Sequence, residues 1–199
     1  MSMTAMTAAQ AGNNNDDNNK DASGEKSAAA IENIMTRCSV RQYTNQPVAK
    51  ETVDTLLKAA MAAPTASNKQ PWAFIVVDEQ ALKDSITAVL KYGHPIAKAP
   101  VAIVVCGDLQ KSSEDINGGY WIQDCSAATE NILLAAHAVG LGAVWCGVYP
   151  REERVANIRR ILNLPDNLVP LNVIAIGYPS GKNSVKNKFK PENIHYNKF

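Results

Sequence analysis

Val101-Ala102-Ile103-Val104-Val105-Cys106, held between Pro100 and Gly107, is an unbroken apolar run rich in β-branched residues. Such a run has no polar side to turn to water, so it reads as a central strand buried on both faces. Outward from it, Ala73-Phe74-Ile75-Val76-Val77 is a second short buried strand, and a helix over about 80–91 lies between the two. On the other side, residues from about 118 to 139 carry a helical pattern that is apolar around much of its circumference, including Ile122, Cys125, Ala128, Ile132, Leu133, Ala136 and Val139. So wide an apolar face implies burial on several sides. Gly140 supplies the stop. Further elements are a strand over 143–148, a helix over 151–162 and a strand over 172–178. Before the centre, Val53, Leu56, Leu57, Ala60 and Met61 recur at helical spacing until Pro64 ends the helix, and 28–36 reads as a short helix with Ile31, Ile34 and Met35 on one face. Helices and strands are mixed, so the class is α/β or α+β.

The chain has 199 residues, 46% of them hydrophobic, with a net charge of +1. That suits one ordinary domain with a sizeable core. No basic stripe marks a nucleic-acid surface, and no apolar run approaches the roughly 18 residues of a membrane span. The four cysteines, Cys38, Cys106, Cys125 and Cys146, stand far apart, form no CxxC and have no zinc-like spacing. Buried, reduced thiols and a cytoplasmic location fit this pattern. Residues 1–27 differ in kind. They are rich in Asn, Asp, Ser, Ala and Gly and read as a disordered arm preceding a single domain over 28–199. The arm has no hydrophobic stretch of the signal-peptide kind, though export after trimming of a leader stays open. After 179 the chain turns polar and lysine-bearing, a tail long for a loop, which either frays or wraps onto a surface such as a partner subunit.

Three polar clusters carry the chemistry. In Arg37-Cys38-Ser39-Val40-Arg41 two guanidinium groups flank a hydroxyl. If the segment is extended, Arg37, Ser39 and Arg41 share one side, opposite Val40, which makes an anion clamp. Taken alone, the same residues also read as a solvated basic turn. The second cluster is Pro64-Thr65-Ala66-Ser67-Asn68-Lys69-Gln70-Pro71-Trp72, whose hydrogen-bonding side chains crowd the start of a buried strand; an ordinary helix-ending loop is the alternative. The third is Trp145-Cys146-Gly147-Val148-Tyr149-Pro150, where Gly147 lets a backbone approach a flat ring closely, or simply ends a strand. Two apparent nucleotide motifs fail. Gly140-Leu141-Gly142 follows a helix and precedes a strand, the reverse of a dinucleotide-binding turn, and Gly177 to Lys182 has the wrong spacing for a P-loop. With only three histidines, His94, His137 and His195, a triad or metal reading has little material.

In this order the clusters resemble the FMN-dependent nitroreductase family. Gly119-Tyr120-Trp121-Ile122-Gln123-Asp124, Asn131 and Gly140-Leu141-Gly142 extend the likeness over about residues 30–199. The resemblance implies an α+β fold with a mainly antiparallel central sheet flanked by helices, in an intertwined homodimer with FMN at the interface. It implies that Arg37, Cys38 (through its backbone), Ser39 and Arg41 hold the FMN phosphate and ribityl end, with Lys186 and Lys188 as a second basic pair. Pro64, Thr65, Ala66, Asn68 and Gln70 would reach the flavin from the partner subunit. The backbone at Trp145, Cys146 and Gly147 would face the ring near N5, with Cys146 acting through its N–H rather than its sulfur. Cys38 and Lys188 depart from the commoner family residues at their positions. The implied activity is ping-pong transfer of hydride from NADH or NADPH to the flavin and on to a nitroaromatic, quinone or similar oxidised small molecule. Another flavin reaction, such as reductive dehalogenation, and a non-catalytic flavin-binding role remain open alternatives.

Overall fold

The computed structural model describes residues 15–112 and 119–199, so the first part of the expected N-terminal arm and the expected helix start at 118 lie outside the described residues. The chain divides into two units, Met1–Met35 and Thr36–Phe199. In the first, helix α1 (Asn15–Thr36) begins well before the position 28 expected from apolar spacing. Its N-terminal part, rich in Asn and Asp, has neither apolar periodicity nor high helix propensity, so nothing in the local sequence announces it.

The second unit is built on a four-stranded sheet in the order β1 (Trp72–Val77), β2 (Val101–Asp108), β4 (Leu168–Gly177) and β3 (Gly142–Gly147), with every neighbouring pair antiparallel. All eight residues of β2 are buried, as the continuous apolar run requires. Side-chain alternation divides them between two cores. Val101, Ile103 and Val105 meet α2 (Lys50–Met61) and α5 (Trp121–Ala138) on one face. Ala102, Val104 and Cys106 meet α3 (Gln80–Ala88), α4 (His94–Lys98) and α6 (Glu152–Leu162) on the other. His94, expected in a loop, opens α4, where Pro95 sits in the first turn and is buried.

The strand expected over 172–178 begins at Leu168. Pro170 lies inside it, a residue that normally argues against a central strand because it has no N–H to give. The ladder absorbs it in an irregularity: Val105 pairs with Asn172 and Cys106 with Pro170, so Leu171 is skipped.

The wide apolar face of α5 is covered by the sheet and by α2, and Asn131 Nδ2 donates to the Ala59 carbonyl of α2 at 2.9 Å. At the end of α5, Gly140 takes a positive φ of 78° and Leu141 N–H reaches back to the Ala136 carbonyl at 2.8 Å, which closes the helix and turns the chain into β3. Among the described residues no helix is long and apolar enough to cross a membrane.

Candidate functional site

β3 is an edge strand, and its outer side carries the first cluster. Ser39 bridges Ala143 in parallel, and Val40 N–H donates to the Ala143 carbonyl at 3.0 Å. Val40 is buried beneath the segment, so the expected division holds: the apolar side chain points in and the polar ones point out. A close approach makes this possible, because a side chain at Gly142 would collide with Val40. Tyr43 fixes the back of the turn. Its hydroxyl stands 2.6 Å from the Val40 carbonyl and 3.1 Å from that of Ala175, and burial pushes its pKa well above the ordinary range.

Arg37, Cys38, Ser39 and Arg41 line a cleft of about 410 Å³ together with Gln42, Lys182, Lys186 and Lys188. Cationic side chains from opposite ends of the second unit thus meet around one space. Ser180 N–H donates to the Gln42 carbonyl at 3.0 Å, Tyr43 bridges Pro179, and these contacts bring the tail to the clamp. Arg37 Nε lies 3.3 Å from Glu130 Oε1 on α5. Guanidinium has five donors in a planar fork, so this pairing leaves its terminal N–H groups for the cleft.

The second cluster lines a different cleft. Pro64, Thr65 and Ala66 face Tyr120, Gln123, Asp124 and Ala127 across about 570 Å³. The loop is tightly wound: Ser67, Asn68 and Gln70 all take positive φ, of 49°, 54° and 50°. Such conformations cost about 1–3 kcal/mol each and persist where the surroundings impose them. Asp124, 5% exposed, supplies one restraint by accepting the Ala66 N–H at 3.0 Å. Asn68 and Gln70 are not among the lining residues; Gln70 Nε2 donates to Asn68 Oδ1 at 3.0 Å. Within this chain the structure therefore does not bring the second cluster to the first.

The third cluster, Trp145, Cys146 and Gly147, borders a cleft of about 250 Å³ with Tyr92, Arg154 and Arg41, and Arg41 also lines the basic cleft. Backbone alternation along β3 corrects one expectation. Ala143 gives its carbonyl to Val40 on the outer side, and Val148 N–H donates to Leu171 of β4 at 3.0 Å. Between these fixed points, Trp145 and Gly147 turn their N–H groups outward, and Cys146 turns its own toward its register partner Val173. The N–H groups at the open edge are those of Trp145 and Gly147, not that of Cys146. A side chain at Gly147 would meet only Trp145 Nε1, at 4.0 Å, so the glycine leaves an opening that none of the described residues fills.

Cys146 is buried with its thiol 3.8 Å from the Tyr92 carbonyl. Burial pushes its pKa up to about 11, and Arg41 pulls it partly back. The thiol is therefore protonated at neutral pH and is a poor nucleophile. All four cysteines are free.

Sequence reading missed Glu130, Asp124 and Arg154. Asp124 had a visible signal, a carboxylate on the apolar side of α5; the other two are charged residues on helices with nothing local to distinguish them.

The nitroreductase family model matches residues 34–93 and 83–178, and the chain belongs to that family. A protein of Methanothermobacter thermautotrophicus, provisionally named NADH dehydrogenase/NAD(P)H nitroreductase, is 46% identical over 169 residues, which are 85% of this chain and 87% of that one. The Bacillus subtilis FMN reductase [NAD(P)H] is 27% identical over 83% of this chain and 72% of its own length. Among solved structures, an FMN-dependent nitroreductase from Clostridium difficile R20291 matches with a TM-score of 0.77 at 32% identity, covering 85% of this chain and 99% of that one.

Proposed function

We propose that the protein is an FMN-dependent NAD(P)H oxidoreductase that passes hydride to a nitroaromatic, quinone or similar oxidised small molecule. The observation that carries this reading is the convergence of Arg37, Arg41, Lys186 and Lys188 with Ser39 on one cleft, a donor set suited to a phosphate monoester. The open edge at Gly147, joined to that cleft through Arg41, suits a planar ring beyond the phosphate. Family membership and relatives named for FMN and NAD(P)H support the same assignment.

In this reading the two arginines and the lysine pair hold the phosphate, Ser39 and the backbone at Cys38 hold the ribityl end, and Gly147 N–H donates to the ring. The loop with Pro64, Thr65, Ala66, Asn68 and Gln70, which stands at a separate cleft in one chain, serves the site of the partner in a homodimer. The unit from Thr36 to Phe199 carries the site, with the tail after 179 completing the clamp. FMN, when bound, supplies the hydride acceptance and donation, so the protein's work is positioning and electrostatics. The order is ping-pong, with NAD(P)H and the acceptor using one open face in turn.

The test is direct. The purified protein is expected to carry or take up FMN and turn yellow, and anaerobic NADH or NADPH is expected to bleach it. A colourless protein with no affinity for added FMN overturns the reading. Cys146→Ala is expected to leave the rate of anaerobic bleaching within about threefold, because a protonated buried thiol contributes packing rather than chemistry. Complete loss of bleaching in a folded variant would restore a role for the sulfur.

A further inference from the structure

We propose that Arg154 is a positioning residue for the open edge of β3: it anchors the Gly147 carbonyl and supplies a second permanent charge there, and so sets how much more tightly reduced FMN is held than oxidised FMN. The proposal rests on the FMN reading above.

Gly147 is the last residue of an edge strand, and its carbonyl points away from β4. A glycine in that position has the widest backbone freedom of any residue. Arg154, in the first turn of α6, limits that freedom by donating from Nη1 to the Gly147 carbonyl at 3.1 Å. The bond spans the Tyr149-Pro150 turn and ties the end of β3 to the next helix. The carbonyl shares its peptide plane with the Val148 N–H, so the bond and the Val148–Leu171 bond at 3.0 Å anchor that plane from both sides.

The charge is the second observation. Arg154 lines the same cleft as Trp145, Gly147 and Arg41, so two guanidinium groups flank the space beside the open edge. Arg41 acts electrostatically on Cys146, one residue from Gly147, so its charge reaches this part of the strand, and Arg154 touches Gly147 itself. A guanidinium keeps its proton throughout the working pH range. Hydride uptake turns NAD(P)H into NAD(P)+ and adds one negative charge to the bound group until a proton follows from water. A fixed cation beside that charge favours the reduced form over the oxidised one. At an effective dielectric constant suited to a partly open cleft, one unit charge a few ångströms further out is expected to change the preference by about tenfold.

The measurement is the midpoint potential of bound FMN in the wild-type protein, R154M and R154K, with the Kd for oxidised FMN and a thermal melt for each. R154M is expected to melt normally and to bind oxidised FMN within a few-fold of wild type, but to hold reduced FMN about tenfold less tightly. That corresponds to a potential about 30 mV more negative for a two-electron couple. R154K, which keeps the charge and one donor, is expected to recover most of the shift. A loaded, folded R154M at the wild-type potential overturns the proposal, and so does an R154K as low as R154M, which would trace the effect to lost packing. Should R154M fail to fold, R154Q supplies the neutral arm. Wild-type protein that binds no FMN is a different result: it removes the flavin reading itself.

Discussion

Arg37→Ala is expected to weaken FMN binding by about 1.5–3 kcal/mol, roughly 10- to 150-fold in Kd, the loss of charge-assisted hydrogen bonds to a phosphate. Arg37 is the better sheltered of the two clamp arginines; its side chain is 16% exposed, so its field is less screened by solvent than that of a surface cation. Glu130, 48% exposed, holds its Nε and adds little energy of its own at that exposure, but it steers the rest of the fork. Removing the guanidinium also leaves Glu130 as an unopposed negative charge near the cleft, so the change acts twice in the same direction. Arg37→Lys keeps a point charge but not the fork, and is expected to fall between wild type and Arg37→Ala. Titration of FMN by fluorescence quenching, at low and at high salt, reads all three. The difference between variants is expected to shrink as salt rises. An unchanged Kd in folded Arg37→Ala means the phosphate is not held by the 37–41 segment.

What the sequence revealed follows from what is local. The run Val101 to Cys106 announced a central strand because its apolarity is continuous, and the spacing of Val53, Leu56, Leu57, Ala60 and Met61 announced a helix because one face suffices. The strand containing Asn172 starts at Leu168 rather than at the expected 172, and Pro170, which has no N–H for a ladder, fits within it only through the irregularity at Leu171. The site divides the same way. Arg37, Ser39 and Arg41 are neighbours and could be read together, but their meeting with Lys186 and Lys188 depends on the tail crossing Gln42 and Tyr43, which no local pattern contains. The choice between Cys146 and Gly147 as the outward donor was beyond sequence reading for a sharper reason. Strand residues alternate, so a shift of one position exchanges inner for outer, and the phase is set by Ala143 pairing with a segment about a hundred residues earlier. Glu130 and Arg154 look like ordinary solvated helix charges until the partner that each one holds is known.

The two glycines of β3 separate fold from function in opposite ways. At Gly142 an added Cβ would stand 2.6 Å from Val40 Cβ and Cγ1 and 2.7 Å from Cγ2. Val40 cannot yield by rotating, because it is β-branched, buried, and tied through both its N–H and its carbonyl, to Ala143 and to Tyr43. Gly142→Ala must therefore push the 37–41 segment off the strand. The expected cost is about 1–3 kcal/mol of stability, a fall in Tm of roughly 3–10 °C, together with weakened FMN binding because the clamp moves with Val40. At Gly147 the nearest atom to an added Cβ is Trp145 Nε1 at 4.0 Å, so Gly147→Ala is expected to leave Tm within about 2 °C. Its FMN affinity is nevertheless expected to drop by about tenfold or more, because the methyl group occupies the opening that the ring would use. Thermal melts and FMN titrations of the two variants form a crossed pair. If Gly147→Ala loses no affinity, the ring does not lie against the outer edge of β3. If Gly142→Ala melts like wild type, the segment carrying Arg37 and Arg41 is not pinned to the sheet through Val40.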